Sequence, residues 1–223
     1  MINIKGALIV PCEYDLIGEF SEGLAMLMKN NKYGFCDREG KIIIPIEFDY
    51  IPQYVSLCFR DKKVIAQKNK KKGIIDITGK FIVPRDYDDI SFPSEGFTAV
   101  KKNEKWGYIN KSFKLIIPYS FKWAGDFHNG IAKVKKAGKY GFISTDGKPA
   151  IQFLYDEVKD FNGDFTVVKQ GELLGLINKI GEVIFPCEYE KIEELNNEMY
   201  CLIKEGNNNY YNKALKKIIW LEK

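Results

Sequence analysis

A glycine that follows an aromatic or long side chain and precedes an apolar one returns at Gly34, Gly73, Gly107, Gly141 and Gly175, at spacings of 39, 34, 34 and 34 residues. A second marker closes an apolar triplet: Pro11, Pro45, Pro84 and Pro118, then Gln152, then Pro186, at spacings of 34, 39, 34, 34 and 34. Both register the same five-residue lengthening of the second unit, near Leu57–Asp61. A period of this length marks an array of supersecondary units, each too small to bury its apolar face without its neighbours.

Each unit reads as three short strands and a return. Strand A is Leu24–Met28, Val64–Lys68, Phe97–Lys101, Ile131–Lys135, Phe165–Lys169 and Met199–Ile203. Strand B carries the marker glycine, as in Tyr33–Asp37, Trp106–Asn110 and Tyr140–Ser144, and its last copy is degraded to Asn208–Asn212. Strand C is Lys41–Pro45, Lys80–Pro84, Lys114–Pro118, Lys148–Gln152, Glu182–Pro186 and Lys216–Trp220, with an additional copy at Ala7–Pro11. Runs of four to six residues rich in Ile, Val, Phe and Tyr favour strand over helix.

The turns agree with this reading. Between B and C stands Asp-x-x-Gly in Asp37–Gly40 and Asp76–Gly79, and Asn-x-x-Gly in Asn178–Gly181. The acid or amide accepts a local backbone hydrogen bond and the glycine takes the left-handed position. Phe113 and Leu215 replace that glycine, so their hairpins are expected to be strained or differently shaped. The strand-B glycine leaves a gap for close approach, here assigned to a ring from an adjacent unit lying flat on the chain. After strand C comes acid–aromatic–acid: Glu13-Tyr14-Asp15, Glu47-Phe48-Asp49, Asp86-Tyr87-Asp88 and Glu188-Tyr189-Glu190. An apolar residue and a further aromatic follow, which reads as a turn plus a fourth short strand.

The segments Lys105-Trp106-Gly107-Tyr108-Ile109-Asn110 and Lys139-Tyr140-Gly141-Phe142-Ile143-Ser144 resemble the core of the bacterial WG repeat. Gly23-Leu24-Ala25, Gly130-Ile131-Ala132 and Lys41–Pro45 resemble that repeat's flanking segments, and the likeness runs from Ala7 to about Trp220. Trp106 keeps the tryptophan, while Tyr33, Lys72, Tyr140 and Leu174 replace it. The resemblance implies β-structured repeats that mediate interactions, and it brings no catalytic residues to carry over.

The expected fold is therefore all-β: a single WG-repeat domain over 1–223, in about six 34-residue units, each a three-stranded antiparallel meander. The units are a partial one at 1–22, then 23–56, 57–95, 96–129, 130–163, 164–197 and 198–223. Because both ends of the chain are in strand-C phase, an open twisted stack is preferred over the alternative, a six-bladed β-propeller.

Composition narrows function. No apolar run reaches the roughly 18–20 residues that span a bilayer, and the first apolar stretch is too short for a signal-peptide core, so a cytoplasmic protein is expected. The net charge is +4, but the basic residues are nearly all lysine, with arginine at Arg38, Arg60 and Arg85 alone. Sequence-specific readers of nucleic acid lean on arginine. The five cysteines form no C-x-x-C pair, so reduced, partly buried thiols are expected, with neither a zinc site nor a disulfide framework. His128 is the one histidine and is read as a surface loop residue. No nucleophile elbow or phosphate-binding glycine loop stands in a strand–helix setting.

No enzyme, cofactor or metal site is expected from this inventory. The lysines cluster in the A–B turns and the acids after strand C, which suggests a basic edge and an opposite acidic edge. The leading expectation is a non-enzymatic scaffold for protein–protein interaction, with contacts at Lys70, Lys71, Lys72, Lys101, Lys102, Lys135 and Lys136. The alternatives are single-stranded nucleic-acid binding along the same lysine rim and, behind that, carbohydrate binding or hydrolysis by paired carboxylates.

Overall fold

The computed structural model describes residue 6 and residues 8–52, 59–196 and 198–221. Their regular structure is all strand, arranged as six antiparallel sheets in chain order. The first sheet comprises Leu16–Ser21, Leu24–Lys29, Lys32–Cys36 and Ile42–Phe48, paired in sequence order. The second spans 63–87 in three strands, and the remaining four span 89–121, 123–155, 157–189 and 191–221 with four strands each. Strands A, B and C occupy their expected places. The fourth strand exists too, but it pairs with strand A of the next unit and so opens each sheet. In the second sheet a single bridge, Tyr50 to Gln67, stands where that strand would be.

By contacts the chain divides into two compact units, one ending at Tyr119 and the other beginning at Ser120. Within each, the core lies between successive sheets. In the first, Phe35, Ile44 and Phe48 of one sheet meet Val64, Ala66 and Ile75 of the next; Ile74, Val83 and Tyr87 then meet Val100 and Ile109. In the second, Phe142, Ile151 and Tyr155 meet Val168 and Ile177, and Val167, Leu176 and Tyr189 meet Tyr200, Leu202 and Tyr211. Inner strands are covered on both faces, which is why strand A reads as an unbroken apolar run such as Leu24–Leu27 rather than an alternating one. The energetics are those of nearest-neighbour stacking.

The strand-B glycine is explained by backbone, not by a ring from an adjacent unit. A Cβ on Gly34, Gly73, Gly107 or Gly141 would lie 2.6 Å from the carbonyl oxygen of Ile44, Val83, Ile117 or Ile151, all on strand C of the same sheet. Tyr33 pairs with Phe48 while Phe35 pairs with Ile44, so strand C bulges by two residues over the glycine. The same register break recurs at Lys72/Ile74, Tyr140/Phe142 and Leu174/Leu176. Pro45, Pro84 and Pro186 lie inside those bulges, where the ladder asks for no N–H.

The two glycine-lacking hairpins diverge as expected. Phe113 is held at φ 62°, the left-handed conformation that Gly40 and Gly79 adopt at φ 82° and 83°. At Leu215 the left-handed residue has moved on to Lys216, φ 51°, so this turn is longer. Asn209 occupies the glycine position of the last sheet, and the two-residue bulge over that position is absent: Asn209 pairs with Leu221 and Tyr210 with Trp220, and the register breaks only at Tyr210/Tyr211.

Of the segment Leu57–Asp61, Leu57 and Cys58 lie outside the described residues. Phe59, Arg60 and Asp61 occupy ordinary repeat positions. Phe59 is buried against Phe35 with centroids 4.9 Å apart, as Phe161 packs on Phe142 at 5.0 Å. Arg60 bridges to Lys63 as Ser94 does to Phe97.

Candidate functional site

The expected basic and acidic edges do not form, because three antiparallel strands bring the chain out at the end where strand A finishes. The A–B turn and the acid–aromatic–acid segment therefore share one end of the sheet. The third residue of that segment does most of the work there. Asp88 accepts from Lys71 Nζ on its own sheet and from the Asn103 backbone N–H, 2.8 Å away, in the A–B turn of the following sheet. Asp49 does the same with Lys32 and the N–H of Asn69, at 2.6 Å for the latter. Asp156 repeats it with Lys139 at 2.6 Å and the N–H of Gly171 at 2.9 Å. In each case the lysine first, then the turn N–H, holds the carboxyl below the usual aspartate range.

At Asn69–Lys70 and Asn103–Glu104 the A–B turns these carboxylates seize are two-residue hairpins with both residues left-handed, at φ 54° and 62° in the first and 50° and 63° in the second. The first acid of the segment binds the last lysine of strand A: Glu13 to Lys29 at 2.9 Å, Glu47 to Lys68 at 2.7 Å, Glu188 to Lys204 at 2.6 Å. The aromatic before the third acid is buried at Phe48, Tyr87, Tyr155 and Tyr189. Lys122 stands where the other units carry the third acid, so no such strap forms there; its N–H still binds the Lys135 carbonyl at 2.8 Å.

These pairings account for most of the candidate lysines. Lys71 and Lys72 are held by Asp88 and Asp89, the latter at 2.7 Å, and Lys101 by Glu104 at 3.3 Å. Lys135 lies over the Tyr140 ring at 4.6 Å from its centroid and Lys136 over Phe153 at 5.9 Å. Lys70 and Lys102 are exposed and form no ion pair among the described residues. Five of the seven lie in the first compact unit and two, Lys135 and Lys136, in the second.

A cavity of about 740 Å³ opens at the opposite, B–C end, between the fifth and sixth sheets. Its cause is the degraded last repeat. At two other seams the B–C turn glycine settles on strand C of the preceding sheet: a Cβ on Gly79 would be 3.3 Å from Ile44, and one on Gly181 would be 3.3 Å from Ile151. In the sixth sheet that residue is Leu215, 59% exposed, and the turn is longer. Phe185, at the Ile44 position, meets instead the edge of the Tyr211 ring, centroids 4.9 Å apart, and Phe165 closes on the same ring at 6.4 Å.

The floor is thus aromatic, and Val183 and Ile218 flank it as partly exposed aliphatics. Lysines outnumber acids on the rim: Lys179, Lys213, Lys216 and Lys217 against Asp164 and Glu182. Lys179 is paired with Asp164 at 3.1 Å and Lys213 with Glu194. Lys216 and Lys217 form no ion pair among the described residues. A neighbouring cavity of about 490 Å³ shares Asp164, Phe165 and Lys213, so the two run into one trench. Nothing in the lysine pattern pointed to it; the signal available in sequence was Leu215 in place of glycine together with Asn209 in place of the strand-B glycine.

Cys12, Cys36, Cys187 and Cys201 are free thiols, with Cys36 and Cys201 buried. Burial pushes the thiols of Cys36 and Cys187 up. His128 is exposed and ends the opening strand of the fourth sheet, rather than lying in a loop. Among the described residues no three His, Cys, Asp or Glu side chains gather as a metal site would require.

The chain belongs to the WG-repeat family: the family model for the WG containing repeat matches it six times, over residues 1–33, 33–71, 73–106, 106–140, 140–173 and 175–210. No curated protein sequence matches it. Among solved structures it is similar to Hsv2p of Kluyveromyces lactis, at 14% identity and a TM-score of 0.47, covering 89% of this chain and 75% of that one. It is also similar to PorZ, a surface component of the type-IX secretion system of Porphyromonas gingivalis, at 8% identity and a TM-score of 0.41, covering 95% of this chain and 33% of that one. At such identities neither likeness extends a role to this chain.

Proposed function

We propose that the chain is a non-enzymatic repeat scaffold that binds another protein. The observation that supports this most is charge compensation within the array. Nucleic-acid affinity is drawn largely from cations left to face phosphates, whereas Lys29, Lys32, Lys68, Lys71, Lys72 and Lys139 each already hold a carboxylate of this chain. Large apolar side chains, by contrast, are left to solvent near the last two B–C turns, among them Ile180 at 80% and Leu215 at 59% exposure. Apolar anchors framed by polar groups are what protein interfaces use.

The test is a pull-down from native lysate with the tagged full chain, with and without nuclease. A protein recovered in stoichiometric amount after nuclease treatment is the expected result. Recovery of nucleic acid, with proteins lost once nuclease is added, overturns the reading. Charge reversal at Lys70 and Lys102 in the same assay reports whether the lysine-bearing end takes part.

A further inference from the structure

The geometry points to the trench between the fifth and sixth sheets as a binding groove for an extended acidic peptide segment with one aromatic or branched aliphatic anchor residue, contributed by the partner protein. The inference rests on the protein-binding reading above and names the site and the ligand chemistry.

Three observations carry it. The first is shape: the cavity of about 740 Å³ continues into another of about 490 Å³, which makes a trench rather than a single-residue pit. The second is its floor. Phe165, Phe185 and Tyr211 meet edge to face at one spot, and ring faces of that kind accept a planar or branched apolar side chain. At the seams of the first and second sheets and of the fourth and fifth, the turn glycine fills this place, so an anchor from outside would restore a packing the repeat ordinarily supplies for itself.

The third is charge. Lys213 and Lys179 are already engaged by Glu194 and Asp164, while Lys216 and Lys217 stand at the mouth without ion pairs among the described residues. An incoming carboxylate beside the anchor meets two uncommitted ammonium groups, and the trench as a whole carries four lysines against the acids Asp164, Glu182 and Glu198. A nucleic-acid strand offers phosphates as well, but its charge recurs at every residue, whereas the uncommitted lysines are confined to one turn.

The experiment pans a phage-displayed library of random dodecapeptides against the folded full chain and measures the enriched sequences as fluorescein-labelled peptides by anisotropy. The expected result is enrichment of sequences carrying Asp or Glu beside an aromatic or branched residue. Their binding should weaken about tenfold or more in Lys216→Glu/Lys217→Glu and in Val183→Asp, and stay unchanged in Lys70→Glu/Lys102→Glu. All these substitutions are at exposed positions, and an unchanged unfolding midpoint identifies a variant that is still folded. Failure to enrich acidic–apolar sequences, or binding by both trench variants within twofold of the parent, overturns the inference. Loss of this groove and loss of the scaffold reading are separable. A partner protein captured equally by parent and trench variants removes the groove alone, while nuclease-sensitive capture removes the reading on which it rests.

Discussion

The Asp49 carboxylate accepts the backbone N–H of Asn69 at 2.6 Å, across the seam between the first and second sheets. The same carboxylate holds Lys32 of its own sheet, so one side chain ties a strand start to the hairpin of the next repeat.

Replacing Asp88 by Asn keeps the shape of this strap and removes its charge. The variant should lose about 0.5–1 kcal/mol at neutral pH, since the pair is solvent-facing. The carboxyls of Asp49, Asp88 and Asp156 all lie below their ordinary value of 3.8 in the folded chain. Their contribution is thus complete above pH 3.8 and disappears as pH falls through their depressed folded values. Urea midpoints of parent and the triple Asp→Asn variant should converge as pH is lowered from 6 to below 3. A constant gap over that range would show that the charges do not matter.

Phe113 bears a side chain at φ 62°, where other repeats have glycine, and it is 44% exposed. The left-handed conformation costs a side-chain-bearing residue about 1–2 kcal/mol, part of which Gly returns through its freer unfolded chain. Phe113→Gly should therefore stabilise the protein by about 1 kcal/mol, read as a raised urea midpoint. A lowered midpoint would mean that ring packing outweighs backbone strain.

Gly107→Ala would set a methyl 2.6 Å from the Ile117 carbonyl oxygen. Strand C must shift or the bulge must open, at about 1–3 kcal/mol. The change at the same position of the last sheet, Asn209→Ala, meets no such backbone clash and forfeits only the long amide bonds to the Leu202 and Asn207 carbonyls, so it should cost at most about 1 kcal/mol. Comparing the two midpoints tests whether the glycine answers to the bulge or to strand B itself.

Tyr200 is buried, with the Lys213 ammonium 4.5 Å from its ring centroid, and loss of solvent pushes its phenol up to about 12. Unfolding restores the ordinary value of 10.0, so the folded chain keeps a proton the unfolded chain gives up. Stability from this group is whole below pH 10 and declines between pH 10 and about 12. Absorbance of tyrosinate in the native protein should rise late as pH is raised, and Tyr200→Phe should remove a component that titrates near pH 12.

Strand positions and hairpin chemistry were legible because they rest on local rules: period, apolar runs, and the need for glycine at a left-handed residue. Phe113 and Leu215 show how far this goes: at both the missing glycine locates a special turn, one that keeps its shape with a strained residue and one that lengthens. What a single unit does not display is where its ends meet others. The pairing of Lys71 with Asp88 follows from counting strand reversals, an odd number of strands bringing the acids back to the lysines. The trench is less accessible still, because it arises from a residue that fails to fill space: Phe185 looks like any strand-C apolar residue until the glycine that covers it elsewhere becomes Leu215.

The bulge over Gly34 also sets which positions of such an array vary independently of one another. The bulge proline can be exchanged alone, as at Gln152, and the turn glycine alone, as at Phe113. The strand-B glycine is missing at Asn209, and there strand C pairs directly across that position, its register with strand B changed. Strand A keeps its register there, Leu202 standing opposite Asn209 as Val168 stands opposite Gly175. Loss of the glycine is thus absorbed by the one strand it faces, and the sheet that has absorbed it is the one beside the trench.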